Sequence, residues 1–129
     1  MDEKTQARLR ASLEARRAEI EREIGFMSDE IRSIGEDQDM ENGSLGNHMA
    51  EDGSNVMEAD RLSTISEDLR SLLNDIDGAF HRMDEGTYGI CERCGKPINE
   101  ERLEAFPYVA RCIECQSRIE REQALRTGR

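Results

Sequence analysis

The sequence is poor in the side chains that fill a large closed core. It has no tryptophan, only 4% of its 129 residues are aromatic and only 36% are hydrophobic, while 36% are charged. A chain of this length has room for one domain, or for one extended element with a small lobe. Because so little apolar surface is available, we expect a mainly α protein whose elongated helices each bury a single stripe.

Long apolar runs are also missing. No stretch approaches the roughly 18 residues that a membrane-spanning helix needs, and the polar start of the chain lacks the apolar segment of a signal peptide. We therefore expect a cytoplasmic protein that does not contact a membrane. In that reducing compartment, closely spaced cysteines are more typical of zinc sites than of disulfides.

Positive charge is scarce in the first two-thirds of the chain. The net charge is -11 overall; residues 1–85 hold 10 Lys and Arg against 22 Asp and Glu, a net charge of -12, and residues 86–129 hold 8 against 7, a net charge of +1. Nucleic-acid affinity depends on Lys and Arg neutralising phosphates. Direct sequence-specific DNA binding is therefore not expected.

Two segments carry apolar residues at alternating steps of three and four, the pattern of a coiled-coil seam. The first, from Gln6 to Ile34, has the seam residues Leu13, Ile20, Ile24, Met27, Ile31 and Ile34. The second, from about Ser54 to Glu85, has the seam residues Leu62, Ile65, Leu69, Leu72, Ile76, Ala79 and Met83. These segments predict a long antiparallel coiled-coil hairpin within one chain, with Met27, Met57 and Met83 as packing residues.

The ends of the two helices carry further signals. Arg10 and Arg17 occupy positions of the first seam that are normally apolar, so the N-terminal half of the first helix is expected to fray. Ser54 or Asn55 could cap the second helix, and Gly86 could end it. Residues 35–53 hold four glycines and show no helical period, so this segment is predicted to be the tip of the hairpin. No Lys or Arg occurs between Arg32 and Arg61, so the tip is acidic.

Four cysteines form two C-x2-C pairs separated by 17 residues: Cys91, Cys94, Cys112 and Cys115. This spacing is typical of a zinc ribbon, in which two pairs supply four thiolates to one tetrahedral ion. Four thiolates leave no open position for a reactive water, so the zinc is expected to be structural. Residues 86–129 are thus predicted to form a small C-terminal zinc-finger lobe with four cysteine ligands and a short final helix. Gly89 and Gly95 suit the tight turns that are expected beside the ligands.

The segment that contains these cysteines resembles the zinc finger of the DksA/TraR family. The resemblance rests on Gly86-Thr87-Tyr88-Gly89-Ile90-Cys91-Glu92-Arg93-Cys94-Gly95-Lys96-Pro97-Ile98, on Arg102-Leu103-Glu104-Ala105 and Pro107, and on Cys112-Ile113-Glu114-Cys115-Gln116. It implies a non-enzymatic transcription regulator that binds RNA polymerase, places its hairpin in the secondary channel and brings the acidic tip near the catalytic centre. It also makes guanosine tetraphosphate a candidate co-regulator.

The tip departs from the acidic D-x-x-D-x-A motif of the best-known family members. At the matching spacing His48 replaces the first Asp, Glu51 the second and Gly53 the Ala. The resemblance assigns the polymerase-contacting role to Asn47, His48, Glu51 and Asp52. A solvated loop without a contact is the plainer interpretation of the same residues.

Three functions remain open from the sequence. The first is the polymerase-binding regulator, acting as a monomer, and the second is a zinc-ribbon coiled-coil adaptor between unrelated proteins. The third is a nucleic-acid-binding zinc ribbon, disfavoured by the near-neutral lobe, that would use Arg93, Lys96, Arg102, Arg111 and Arg118. No arrangement of nucleophile and base and no phosphate-binding loop indicates an enzyme.

Overall fold

The computed structural model describes the backbone of residues 1–41 and 49–127, and the side chains of residues 1–36 and 53–127. Within these ranges the fold is mainly α. Its four helices are α1 (Glu3–Glu41), α2 (Met49–Glu85), α3 (Glu100–Ala105) and α4 (Ile113–Thr127). The β structure in the described part is a single bridge between Ile90 and Pro97. No helix there is long and apolar enough to cross a membrane.

The chain forms two compact units, and both long helices contribute to each of them. Unit 1 comprises Met1–Ala15 and Asn74–Arg129, and unit 2 comprises Arg16–Leu73. The start of α1 and the end of α2 therefore belong to the same unit as the cysteine-rich segment. The division at Gly86 into a hairpin and a zinc lobe remains a prediction.

In unit 1 the start of α1 packs beside the end of α2, so the two helices run antiparallel. Arg10 forms a 2.6 Å ion pair with Asp84, and its guanidinium lies 5.5 Å from the centre of the Phe80 ring. Leu9 and Leu13 are buried in this unit. The predicted fraying is wrong: α1 begins at Glu3, since the Asp2 carboxylate accepts a 2.7 Å hydrogen bond from the Thr5 amide and caps it.

The α2 side of this core contains Ile76, Ala79 and Met83, all buried. They belong to the predicted seam, so the three-and-four pattern identified the packed face correctly. In unit 2 the best buried residues are Ile20, Leu62 and Ser66. The remaining described seam positions of unit 2 are mostly half-buried, as expected for a pair of helices with no third layer.

Both long helices extend further than the sequence predicted. α1 continues to Glu41 and α2 already begins at Met49, so Ser54 and Asn55 lie inside α2 and do not cap it. The prediction gave too much weight to Gly35 and Gly53, since a glycine inside a helix costs only about 1 kcal/mol relative to alanine. Met57 is 74% exposed, so its assignment as a packing residue is also wrong.

The end of α2 has the predicted glycine stop. Gly86 has a φ of 79°, its amide donates to the Met83 carbonyl, and the Thr87 amide donates to the Arg82 carbonyl at 2.9 Å. These two bonds define a Schellman motif, which satisfies the last carbonyls of the helix. The chain leaves α2 here and enters the segment that contains Cys91.

Candidate metal centre

The first cysteine pair lies in a tight loop between Gly89 and Ile98. The Cys91 amide donates to the Lys96 carbonyl at 2.8 Å, and the Gly95 amide donates back to the Cys91 carbonyl at 2.9 Å. Gly89 and Gly95 have φ values of 85° and 76°, in the left-handed region that glycine adopts without strain. The loop therefore needs both glycines to fold back and place Cys91 and Cys94 side by side.

The second pair lies at the start of α4. Cys112 immediately precedes the helix and Cys115 is in its first turn, where the Gln116 amide donates to the Cys112 carbonyl at 3.0 Å. A C-x2-C pair in the first turn of a helix has both side chains on one face. The Glu92 amide donates to the Ala110 carbonyl at 2.9 Å, which joins the two pairs.

The four sulfur atoms form one cluster. All four lie within 4.8 Å of one another, and the Cys94 and Cys112 sulfurs are 3.8 Å apart. A tetrahedral ion with zinc–sulfur bonds of about 2.3 Å has sulfur–sulfur edges of about 3.8 Å. Cys91 and Cys115 are buried, whereas Cys94 is exposed and Cys112 is half-buried, so the cluster lies at the edge of the lobe.

The electrostatics of the cluster suit a cation. For Cys91, burial raises the thiol pKa, but backbone hydrogen bonds from Cys112, Cys94 and Arg93 outweigh burial and bring the pKa down to about 6. For Cys115, burial and then the neighbouring thiols raise the pKa to about 12. The backbone is thus arranged to hold negative sulfur, while four sulfurs at this distance cannot all ionise without a positive charge between them.

The residues present fit one structural zinc ion. Four cysteine sulfurs within 4.8 Å of one another can complete its coordination shell, and soft thiolate ligands favour zinc over magnesium or calcium. When bound, zinc would join the 89–98 loop to the start of α4. The described lobe around the cluster has few other buried side chains, mainly Tyr88, Ile98 and Leu103, so the metal supplies cohesion that a core of this size lacks.

Two side chains outside the cysteine pairs support the lobe: Tyr88 braces it internally, and Arg82 connects it to α2. The Tyr88 hydroxyl donates to the Pro107 carbonyl at 2.8 Å, and burial raises the pKa of this tyrosine to about 12. Arg82 of α2 donates to the Tyr108 and Val109 carbonyls at 3.2 and 3.3 Å. The sequence did not reveal these two roles, because bonds from side chains to distant carbonyls leave no periodic signal.

The start of α1 also reaches the lobe. Arg8 of α1 forms a bidentate ion pair with Glu104 of α3, one of its two hydrogen bonds being 2.7 Å long. This pairing holds the pKa of the Glu104 carboxyl below its usual range. Because both side chains are exposed, the pair orients the lobe more than it stabilises it.

The predicted tip residues lie at or beyond the edge of the described structure. Asn47 and His48 lie outside the described residues. Glu51 and Asp52 belong to the first turns of α2, but their side chains are outside the described set. The structure therefore brings the four zinc ligands together and leaves the tip assignment as a prediction.

Residues 86–121 match the prokaryotic dksA/traR C4-type zinc finger. Over 102 residues the chain is 34% identical to general stress protein 16O of Bacillus subtilis, a match that covers 79% of this chain and 63% of that protein. Over 54 residues it is 44% identical to the RNA polymerase-binding transcription factor DksA of Caulobacter vibrioides, covering 42% of this chain and 38% of that protein. The chain thus spans less than two-thirds of the length of these curated relatives.

One solved structure extends the similarity beyond the zinc finger. The transcription factor DksA2 from Pseudomonas aeruginosa superimposes with a TM-score of 0.77 and 30% identity, covering 95% of this chain and 88% of that one. The likeness therefore includes the long helices as well as the cysteine lobe. The chain belongs to the DksA/TraR family of C4-type zinc-finger proteins.

Proposed function

We propose that this protein is a non-enzymatic transcription regulator that binds RNA polymerase. The observation that carries the proposal is the structural similarity to the transcription factor from Pseudomonas aeruginosa over 95% of the chain. The name of the Caulobacter vibrioides relative adds RNA polymerase as the binding partner. The four cysteines complete a structural metal site, which leaves them no catalytic role.

The proposed mode of binding places the hairpin in the secondary channel of the polymerase, with the tip near the catalytic centre. Asn47, His48, Glu51 and Asp52 would make the tip contacts. The charge distribution supports this mode, because residues 1–85 have a net charge of -12 and the segment between Arg32 and Arg61 contains no Lys or Arg. A channel that admits negatively charged nucleotides should favour such an acidic element.

The lobe arginines support a protein partner over DNA. Arg93 pairs with Glu122 at 3.0 Å, and Arg111 pairs with Glu92 at 3.1 Å. Arg102 donates to the Arg111 carbonyl at 3.1 Å. Three of the five basic residues considered for a nucleic-acid-binding ribbon are thus engaged within the lobe, where they are poorly placed to neutralise phosphates.

The proposal is tested by capture of purified core RNA polymerase on the immobilised full-length, zinc-loaded protein at low salt. We expect saturable binding that survives replacement of the exposed Leu125 by Ala and is lost on replacement of the zinc ligand Cys115 by Ser. Guanosine tetraphosphate is added in a parallel series to test it as a co-regulator. Absence of polymerase capture by the folded parent protein would favour the adaptor function instead.

A further inference from the structure

A stripe of exposed side chains lies on the outer side of α1 in unit 2. It consists of Arg22, Phe26 and Glu30, which follow one another at intervals of four residues and therefore share one face of the helix. Phe26 is 69% exposed, which is unusual for a phenylalanine in a chain with so few aromatic residues. The buried side of the same part of α1 is marked by Ile20, on a different face.

The two charged members of the stripe have no ion-pair partner among the described residues. Nearby acids on α1 have arginine partners: Glu21 pairs with Arg17, Glu23 with Arg16 and Asp29 with Arg32. Arg22 and Glu30 form no ion pair within the part of the chain that the structure describes. The stripe therefore offers one free positive charge and one free negative charge, placed four residues on either side of an exposed aromatic ring.

The residue before Phe26 is a glycine in the middle of the helix. A Cβ placed on Gly25 would meet no atom within 4 Å, so packing inside this chain does not require glycine here. Glycine weakens a helix interior, because it leaves more backbone freedom to be lost on folding. Gly25 lies about 100° around the helix from Phe26 and is not part of the stripe, but it adds no side chain that would shield the Phe26 ring.

The charges of the stripe are arranged symmetrically about Phe26, and this symmetry selects the partner. We propose that the Arg22–Phe26–Glu30 stripe binds the same stripe of a second copy of this chain, with the two α1 helices antiparallel about a two-fold axis at Phe26. Arg22 of each copy then faces Glu30 of the other, and the two phenylalanine rings meet at the centre. Such an isologous contact forms two identical ion pairs from one surface patch.

The contact is small and both copies are acidic, so the association is weak. Interfaces at the small end of the range are typical of transient complexes, and the net charge of -11 on each copy opposes association. We expect a monomer at low concentration and a dimer with a dissociation constant on the order of 100 μM. The measurement is made at about 0.15 M salt, which screens the overall repulsion between the two acidic copies. The proposal does not depend on polymerase binding.

Sedimentation equilibrium of the zinc-loaded protein tests the pairing through charge exchange. Position 22 of one copy faces position 30 of the other. The variant Arg22→Glu therefore places two glutamates opposite each other, and the variant Glu30→Arg places two arginines opposite each other. Each variant alone should be monomeric because its facing charges repel. The double variant R22E/E30R should regain the parent's dissociation constant. An equimolar mixture of the two single variants should also dimerise, because each of its two facing pairs then joins one glutamate to one arginine.

Matched controls separate this pairing from general charge effects. Arg70→Glu and Glu67→Arg change the net charge by the same amounts at exposed positions of α2, and both should retain the parent's dimerisation. Phe26→Ala should weaken association at least tenfold, while circular dichroism shows the parent's helix content. Equal association of the parent and both single charge variants would overturn the proposal, as would failure of the mixture to dimerise.

Discussion

At the residue scale, the four cysteine sulfurs lie within 4.8 Å of one another, and this closeness affects both their protonation and their binding of zinc. Without a cation, the thiol of Cys115 has a pKa of about 12, whereas burial and the opposing backbone hydrogen bonds leave Cys91 with a pKa of about 6. Zinc binding must therefore displace protons from thiols that would otherwise stay protonated at neutral pH. The strength of zinc binding is thus coupled to pH.

Zinc affinity should fall as the pH is lowered, because protons compete with zinc for the same sulfurs. Linkage predicts a change of about tenfold per pH unit for each proton that zinc displaces. Competition with a chromophoric chelator between about pH 8 and pH 5, corrected for the chelator's own protonation, measures the slope. An affinity that does not change over this range would rule out thiolate ligands.

The loop that holds Cys91 should be sensitive to a side chain at Gly89. The φ of 85° places a non-glycine residue in the left-handed region, and a Cβ there would lie 3.4 Å from the Met1 side chain and 3.7 Å from that of Leu103. We expect Gly89→Ala to destabilise the zinc-loaded protein by about 1–2 kcal/mol. Chemical denaturation followed by circular dichroism measures this change.

The matched control is Gly35→Ala in α1, where a Cβ would meet no atom within 4 Å. Alanine is the better helix former, so this variant should be more stable than the parent by about 0.5–1 kcal/mol. If both variants shifted the stability in the same direction, the conformational explanation of Gly89 would be incorrect.

At the scale of elements, the seam of α2 should contribute more to stability than the exposed positions of the helices. Ile76 is fully buried, and its replacement by Ala should cost about 2–5 kcal/mol through lost burial and a residual cavity. Leu125 of α4 is 81% exposed, so Leu125→Ala should change the stability by no more than about 0.5 kcal/mol. Thermal and denaturant melts of both variants against the parent test the difference, and equal costs would contradict the packing described for α2.

Hydrophobic spacing predicted the packed faces, because helix packing has a period that a sequence preserves. Leu13, Ile20, Ile76 and Ala79 are seam residues that the structure buries completely. Cysteine spacing identified the metal ligands, since metal geometry restricts the distance between ligands within each pair. Gly86 was identified as a helix stop because the Schellman motif needs a left-handed residue there.

Other features of the elements could not be predicted in this way. The sequence pattern does not give the correct limits of α1 and α2 near the tip, because Gly35 and Gly53 suggest breaks although both helices extend over them. Helix α3 was missed, although Asn99 caps it by accepting a 2.9 Å hydrogen bond from the Glu101 amide. A six-residue helix has too few turns to show a hydrophobic period in the sequence.

At the scale of the whole molecule, we propose that the long helices and the zinc lobe carry the docking and that the tip carries the regulation. The family relationship includes both the zinc lobe and the long helices. Of the proposed tip residues, Glu51 and Asp52 belong to the first turns of α2, whereas the zinc ligands are within residues 91–115. A change at the tip should therefore leave metal binding and the packed seam intact.

Replacing Glu51 by Asn and Asp52 by Ser should alter regulation without unfolding the protein. We expect the stability to change by no more than about 0.5 kcal/mol, because the substitutions keep polar side chains outside the predicted seam. Zinc content and the melting curve should match those of the parent. Capture of core RNA polymerase should also be retained, since the proposal assigns docking to the helices and the zinc lobe.

The most direct test of the proposed function is transcription initiation by purified RNA polymerase, measured with the parent and the E51N/D52S variant while polymerase binding is quantified in the same reactions. We predict that the parent changes the yield of initiated transcripts and that the variant binds equally well but has a weaker effect. If the folded parent binds core polymerase and leaves initiation unchanged, or if the variant regulates as strongly as the parent at equal occupancy, the proposed role of the tip is contradicted.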